Sequence, residues 1–161
     1  MATSIPLPTR LVRSPSFMLA RLGAEGRRRL GEALAQEGLR LSDYAAIALL
    51  DELESAPQQT LSRTLNIDRS NVVDIVDRLE ACGAAQRRPD PADRRRYAVR
   101  LTPKGRALLE RCAAVARAVD DDLFDDLGEQ DREALVLLLG RVAARYDEHV
   151  SLARCVREAE S

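Results

Sequence analysis

The stretch from Asp90 to Gly105, DPADRRRYAVRLTPKG, constrains the fold of this chain more than any other part of it. Asp90 and Pro91 supply turn chemistry. Tyr97, Val99 and Leu101 alternate with Ala98 and Arg100 at the two-residue period of a strand, and Thr102-Pro103 opens a helix. The spacing predicts a hairpin with strands over Ala84–Arg88 and Tyr97–Leu101, and Arg94, Arg95 and Arg96 at a solvent-exposed tip. Three adjacent guanidinium groups repel one another, yet they suit a narrow DNA minor groove, whose negative potential attracts inserted arginine. A solvated surface loop is the plain alternative for so short a stretch.

The residues before the hairpin read as two short helices joined by a tight turn. After the break at Ser55–Pro57, a helix over Gln58–Leu65 puts Leu61 and Leu65 on one side, and Asn66 supplies a left-handed turn residue. Asp68 is an N-cap for the next helix, in which Val72, Ile75, Val76 and Leu79 recur at i, i+3, i+4 and i+7. Ser70, Asp74, Asp77 and Arg78 then lie toward the opposite face, and Gly83 ends the helix. This is helix-turn-helix spacing. It places Arg69, Ser70 and Asn71 in the first turn, where a recognition helix presents base-reading side chains and free backbone amides favour phosphate.

Composition and charge set the outer limits. Leu, Ala and Arg dominate while aromatic residues are 3%, which favours helices over a β-sandwich, and 45% apolar content is enough for a core in 161 residues. The net charge of −1 hides an uneven distribution: Pro57–Arg106 carries 11 Lys/Arg against 6 Asp/Glu, and 107–161 carries 7 against 13. No apolar run reaches the roughly 18 residues of a bilayer span, and the first residues lack the apolar core of a secretory signal, so a cytoplasmic location and no membrane partner are expected. Cys82, Cys112 and Cys155 are odd in number and lack CxxC spacing; neither disulfide nor zinc is indicated, and they read as buried small hydrophobes. No phosphate loop, nucleophile motif or HExxH occurs, so no enzymatic activity and no cofactor is expected.

The rest of the chain is helical in pattern. Residues 1–15 read as a flexible arm, and Ser16 caps a helix to about Gln36 with Leu19, Leu30 and Leu34 near one stripe. Ser42 caps a strongly apolar helix from Asp43 to Leu53. A long helix from Pro103 to Leu127 carries Leu108, Cys112, Val115, Val119 and Leu123, and Gly128 terminates it. A second, from Glu129, continues its apolar positions through Tyr146 and Val150 to Ala153, and His149 beside that stripe reads as an interface or packing residue. Such helices need a partner, most simply a second copy about a twofold axis. The run Asp120-Asp121-Asp122 with Asp125 and Asp126 reads as a solvated face rather than a metal site. The chain thus divides into an arm (1–15), an N-terminal dimerisation helix (16–41), a winged helix-turn-helix domain (42–106) and C-terminal dimerisation helices (107–161).

Three segments, SRTLNIDRSNVVDIVDRLEACGAAQRR from Ser62, DPADRRRYAVRLTPKG from Asp90 and LGEQDREALVLLLGRV from Leu127, together resemble the MarR family of bacterial transcriptional regulators. The resemblance spans nearly the whole chain. It implies a mainly α fold with a small β-hairpin wing, the terminal helices forming a dimerisation domain. It also implies that Asp93 orients the wing tip while Arg95 enters the minor groove. On this reading the chain is a homodimeric, sequence-specific DNA-binding regulator, a repressor of its own and neighbouring genes. Two recognition helices enter successive major grooves of a pseudo-palindromic operator about 10 base pairs apart. Arg69, Ser70 and Asn71 read bases, Arg94, Arg95 and Arg96 flank them, and Gln58 or Ser62 holds phosphate. Asp74 departs from the basic or small residue of many relatives, and either accepts from cytosine or pairs with a neighbouring Arg. The family further implies relief by a small phenolic or amphipathic effector, for which Phe17, Met18, Arg21 and Tyr44 are the candidate pocket.

Two alternatives stay open. A redox switch would act through Cys82 at the end of the recognition helix, although the position used by the family's peroxide sensors holds no cysteine here. A winged-helix module that binds protein without DNA would explain Asp74 and Asp77.

Overall fold

The computed structural model of the chain describes residues 6–89 and 97–150. Its elements are α1 (Thr9–Val12), α2 (Pro15–Gln36), α3 (Leu41–Leu53), β1 (Ala56–Pro57), α4 (Gln58–Thr64), α5 (Arg69–Ala81), β2 (Ala85–Pro89), β3 (Tyr97–Leu101), α6 (Pro103–Leu123) and α7 (Glu129–Ala143). The fold is mainly helical with one three-stranded antiparallel sheet, in the order β1-β3-β2. Its contacts divide it after Asp120 into two compact units.

The first unit holds the core. The expected stripe of α5, Val72, Ile75, Val76 and Leu79, is buried together with Leu34 of α2, Ile47 and Leu50 of α3, Leu61 of α4, Val99 of β3 and Cys112 of α6. Helix ends position these elements. Asn66 at φ 51° and Gly83 at φ 75° each close a helix with the same pair of bonds, Ile67 N–H to Ser62 O at 3.0 Å and Ala84 N–H to Leu79 O at 2.8 Å being the longer-range member of each. Left-handed backbone is required there, which Gly adopts without strain and Asn tolerates.

In the hairpin, Ala85 pairs with Leu101, Arg87 with Val99 and Pro89 with Tyr97. Val99 and Leu101 face the core as their alternation predicts, whereas Tyr97 is 63% exposed because its end of the hairpin has left the core. The break at Ser55–Pro57 contains a third strand, Ala56 opposite Val99 on the edge of β3. Two residues with a proline carry no periodicity, so this strand exists only through its partner.

Several boundaries differ from the sequence expectations. The arm contains a helical turn, α1. Helix α2 starts at Pro15 after Ser14, not after Ser16, since proline is preorganised for the first helical position. Helix α3 starts at Leu41 rather than after Ser42, because Asp43 in its first turn accepts the Arg40 N–H at 2.9 Å. Asp68 occupies the N-cap position of α5 without making a side-chain cap bond. Leu19, placed on the inner stripe of α2, is 47% exposed. Helix α6 ends at Leu123, four residues early, where Leu127 N–H turns back to Phe124 O at 2.9 Å.

In the second unit α7 stops at Ala143, so Tyr146 and His149 lie beyond the helix rather than on its stripe. His149 is exposed and its N–H meets Asp147 Oδ1 at 2.9 Å. Asp121 of the acidic run pairs with Arg132 at 2.8 Å. Of the cysteines, Cys112 is buried as expected but Cys82 is exposed at the end of α5, and Cys155 lies outside the described residues.

One close approach joins α6 to the end of α5. Thr102 Oγ1 donates to Gly83 O at 2.7 Å and accepts from Gly105 N–H at 3.1 Å, which seats the first turn of α6 against Ala84. A Cβ on Gly105 would stand 2.0 Å from the Ala84 carbonyl oxygen, and backbone cannot yield to it as a flexible side chain would. Gly105→Ala is therefore expected to lower stability by about 1–3 kcal/mol in urea unfolding. Gly31→Ala, where an added methyl meets nothing within 4 Å, should leave the midpoint unchanged or raise it.

Candidate nucleic-acid interface

Burial of the apolar stripe of α5 turns its remaining face outward. Arg69, Ser70 and Asn71 of the first turn and Asp74 of the second are all exposed. With Asp68 making no cap, no side chain of that residue occupies the first-turn amides. The positions of Arg69, Ser70, Asn71 and Asp74 thus form one polar surface at the start of α5. Asp93, Arg94, Arg95 and Arg96 lie outside the described residues; the strands that lead to them, β2 and β3, are described up to the Pro89–Tyr97 pair.

The two residues assigned to phosphate have internal engagements. Ser62 is half-buried and its hydroxyl donates to Ile67 O at 2.7 Å, inside the turn between α4 and α5. Gln58, with its amide oxygen turned to Arg87, accepts from Nη2 at 2.9 Å and from Nε at 3.0 Å.

Two arginine–carboxylate groups hold α5 in place, and neither has a signature in local sequence. Arg78, expected on the open face, instead reaches Asp43 of α3, with Nη2 to Oδ1 at 2.5 Å and Nε to Oδ2 at 3.4 Å. Asp43 is 1% exposed and is the only buried charged residue among those described. Its hydrogen bond holds the Arg78 guanidinium above its ordinary pKa against burial, with Coulombic help from Asp43 and from Asp74. Asp74 thus contributes field to Arg78, whose direct partner is Asp43. The second group gathers around Arg87 of β2, which is bonded to Asp77 at 2.6 Å and to Glu80, whose Oε1 also accepts the Arg87 N–H at 2.6 Å. Burial lowers the Arg87 pKa, but the hydrogen bonds it donates to Asp77 and Glu80 outweigh it and the net shift is upward. The acidic residues of α5 that argue against a polyanion partner are therefore largely matched inside the fold.

The candidate effector residues are only partly assembled. Arg21 stacks over Phe17, with 5.9 Å from Cζ to the ring centroid, and Met18 is half-buried on the same helix. Tyr44 stands on α3, packed against the core cluster.

The fold is that of a winged helix-turn-helix protein, with this polar surface on the second helix of the pair. The MarR family profile matches residues 39–97. A transcriptional regulatory protein assigned to the hcr operon of Thauera aromatica is 31% identical over 112 residues, 70% of this chain and 68% of that protein. The repressor Rv2887 of Mycobacterium tuberculosis is 30% identical over 104 residues, 65% of this chain and 75% of its own length, and its structures include complexes with DNA and with p-aminosalicylic acid. The repressor CouR superposes in its complex with a 23-mer DNA duplex at TM-score 0.77, with 30% identity over 87% of this chain and 99% of that one. CouR from Rhodococcus jostii bound to p-coumaroyl-CoA gives 0.72, with 28% identity over 84% and 96%. The protein belongs to the MarR family of transcriptional regulators.

Asp43→Ala leaves Arg78 without its partner and Arg40 N–H without its acceptor. Because Arg78 is 35% exposed and can turn to water, the expected loss is roughly 2 kcal/mol, below the 3–5 of a fully buried pair, measured by urea unfolding. Burial raises the Cys112 pKa while Cys82 is exposed. Site-resolved mass spectrometry after alkylation at pH 8 should find Cys82 modified in the native protein and Cys112 modified only on unfolding.

Proposed function

We propose that this protein is a homodimeric repressor that reads a pseudo-palindromic DNA operator and is released from it by a small aromatic or amphipathic ligand. The observation that carries the reading is the exposed first turn of α5, Arg69, Ser70 and Asn71, presented by a helix whose opposite stripe is buried. Such a turn fits the major groove, where Arg pairs with guanine and Asn with adenine by two hydrogen bonds each. Arg94, Arg95 and Arg96 would flank it in the minor groove, with Asp93 orienting them. Asp74 would lie beside the bases rather than on phosphate. Ser62 and Gln58 keep a share in phosphate contact only through hydrogen-bonding capacity left over from Ile67 and Arg87.

Dimerisation is supported by apolar side chains left in water by a single chain. Leu19 and Leu22 of α2 are 47% and 45% exposed; Leu138 and Val142 of α7 are 56% and 55% exposed, and Tyr146 beyond it 82%. Leu138, Val142 and Tyr146 line a shallow groove of about 340 Å³ with the stems of Arg141 and Arg145. Exposed apolar side chains of this kind on each unit mark association surfaces, and a second copy is their simplest cover. Ligand release is supported by the relatives: CouR is recorded with p-coumaroyl-CoA and Rv2887 with p-aminosalicylic acid. Phe17, Met18, Arg21 and Tyr44 would supply the aromatic and cationic lining for such a molecule. Binding that alters the separation of the two α5 helices, with a coupling of about 1–3 kcal/mol, gives roughly 5- to 150-fold release.

Footprinting on DNA upstream of its own gene tests this. The expected result is symmetrical protection of two half-sites about 10 base pairs apart, with affinity falling on the order of 10³-fold or more between 50 and 200 mM salt. Asn71→Ala should cost about 1–3 kcal/mol on the operator and little on unrelated DNA. p-Coumaroyl-CoA and p-aminosalicylic acid are the first probes for release. A monomer in light scattering, or no protection at any salt, would sink the proposal.

A further inference from the structure

Arg87 ties the root of the hairpin to the helices. It sits opposite Val99 on the core-facing side of the sheet, and its guanidinium meets Asp77 and Glu80 of α5 and Gln58 at the start of α4. Its backbone N–H is held by Glu80 as well, at 2.6 Å. One residue pair further along, Arg88 is exposed but Ala98 opposite it is buried and pairs with Pro57 of β1, and beyond them Pro89 and Tyr97 are both exposed. A two-stranded ribbon is stiff along its length but swings easily about its root. The direction in which β2 and β3 leave the helices is therefore set where their root is clamped.

The geometry points to Arg87, with Asp77, Glu80 and Gln58, as a positioning cluster that fixes the angle between the wing and the recognition helix, and so the spacing of minor-groove and major-groove contacts on each half-site. This rests on the DNA-reading function proposed above. It assigns Arg87 a role opposite to the usual one for a basic residue on such a surface: its charge is spent inside the protein, and the carboxylates of Asp77 and Glu80 serve DNA binding although they are negative. Arginine is the residue type for the task, because its planar fork of donors can bind two carboxylates and an amide at once, which the single ammonium of lysine cannot do with fixed geometry.

The sign of one substitution pair separates this role from plain electrostatics. The variant Asp77→Asn, Glu80→Gln makes the DNA-facing surface more positive, so if Arg87 were a phosphate ligand held back by these carboxylates, the variant would bind tighter with a steeper salt dependence. The positioning role requires the reverse: binding about 5- to 30-fold weaker, and hydroxyl-radical protection lost at the flanking minor grooves but kept at the central major grooves. Arg87→Lys should lose the flanks in the same way, since it retains charge but not the fork. Thermal unfolding of each variant is run alongside, and the position-dependent loss of protection is a signature that uniform destabilisation does not produce. Unchanged or tighter binding by the double variant, or protection that fades evenly over the whole site, overturns the assignment. If the unsubstituted protein gives no footprint at all, the DNA reading itself has failed, and the two failures are told apart by that control.

Discussion

The side chains offered to solvent by α5 are where they are because Val72, Ile75, Val76 and Leu79 are locked in the core. Full burial of four such residues is worth on the order of 8 kcal/mol before chain entropy is counted, an upper figure because the unfolded chain is not fully extended. A rotation of the helix about its axis would expose that stripe, so the outward position of Arg69, Ser70 and Asn71 follows from apolar packing alone. No polar interaction has to orient them. The exposed side of this helix is a by-product of what its other side needs.

Packing sets the rotation of the helix but leaves its pitch and its relation to the hairpin softer, and there charge takes over. Asp43, nearly without solvent, does two tasks at once by closing the first turn of α3 and gripping Arg78 of α5. Arg87 does the equivalent for the sheet. These differ in weight from the ion pairs on α2. Glu25 has its pKa lowered to about 2 by hydrogen bonds from Arg28 and Arg29, yet all three side chains are partly exposed and lie within one turn of the same helix, and such pairs contribute little once solvent screens them. The pair that matters most is the one that matches Asp43, which is 1% exposed and has no solvent to turn to.

The residues also explain why acidic side chains occur beside a surface proposed to meet a polyanion. Asp77 and Glu80 are matched by Arg87, and Asp74 adds to the field around Arg78. The remaining uneven charge comes from the arginines of the first turn of α5 and of the hairpin. A chain with a net charge of −1 can carry a basic face in this way, because Asp77 and Glu80 are engaged by Arg87 inside the fold.

Much of this architecture was legible in the chain before any coordinates. The helix pair around Asn66, the four-residue stripe of α5, its end at Gly83 and the paired strands of the hairpin follow from period and turn chemistry, both local properties. Terminal boundaries were not legible: α7 stops at Ala143 although its apolar pattern runs on to Tyr146 and Val150, since pattern records which residues prefer burial and not whether a surface is there to receive them. The exposure of the first turn of α5 could be expected from its period, but the engagements of Gln58, Arg78 and Arg87 could not, because each depends on a partner in another element.

Sequence by itself therefore determined the longer helices, the two strands of the hairpin and the inward side of α5, as these are decided within a few residues by backbone preference and spacing. Tertiary structure alone decided which charges meet. Asp43 and Arg78 are thirty-five positions apart, and β1 is a strand only because β3 passes beside it. Hydrogen bonds of this kind act over about 3 Å in space, whatever their separation along the chain, and no local pattern records that distance.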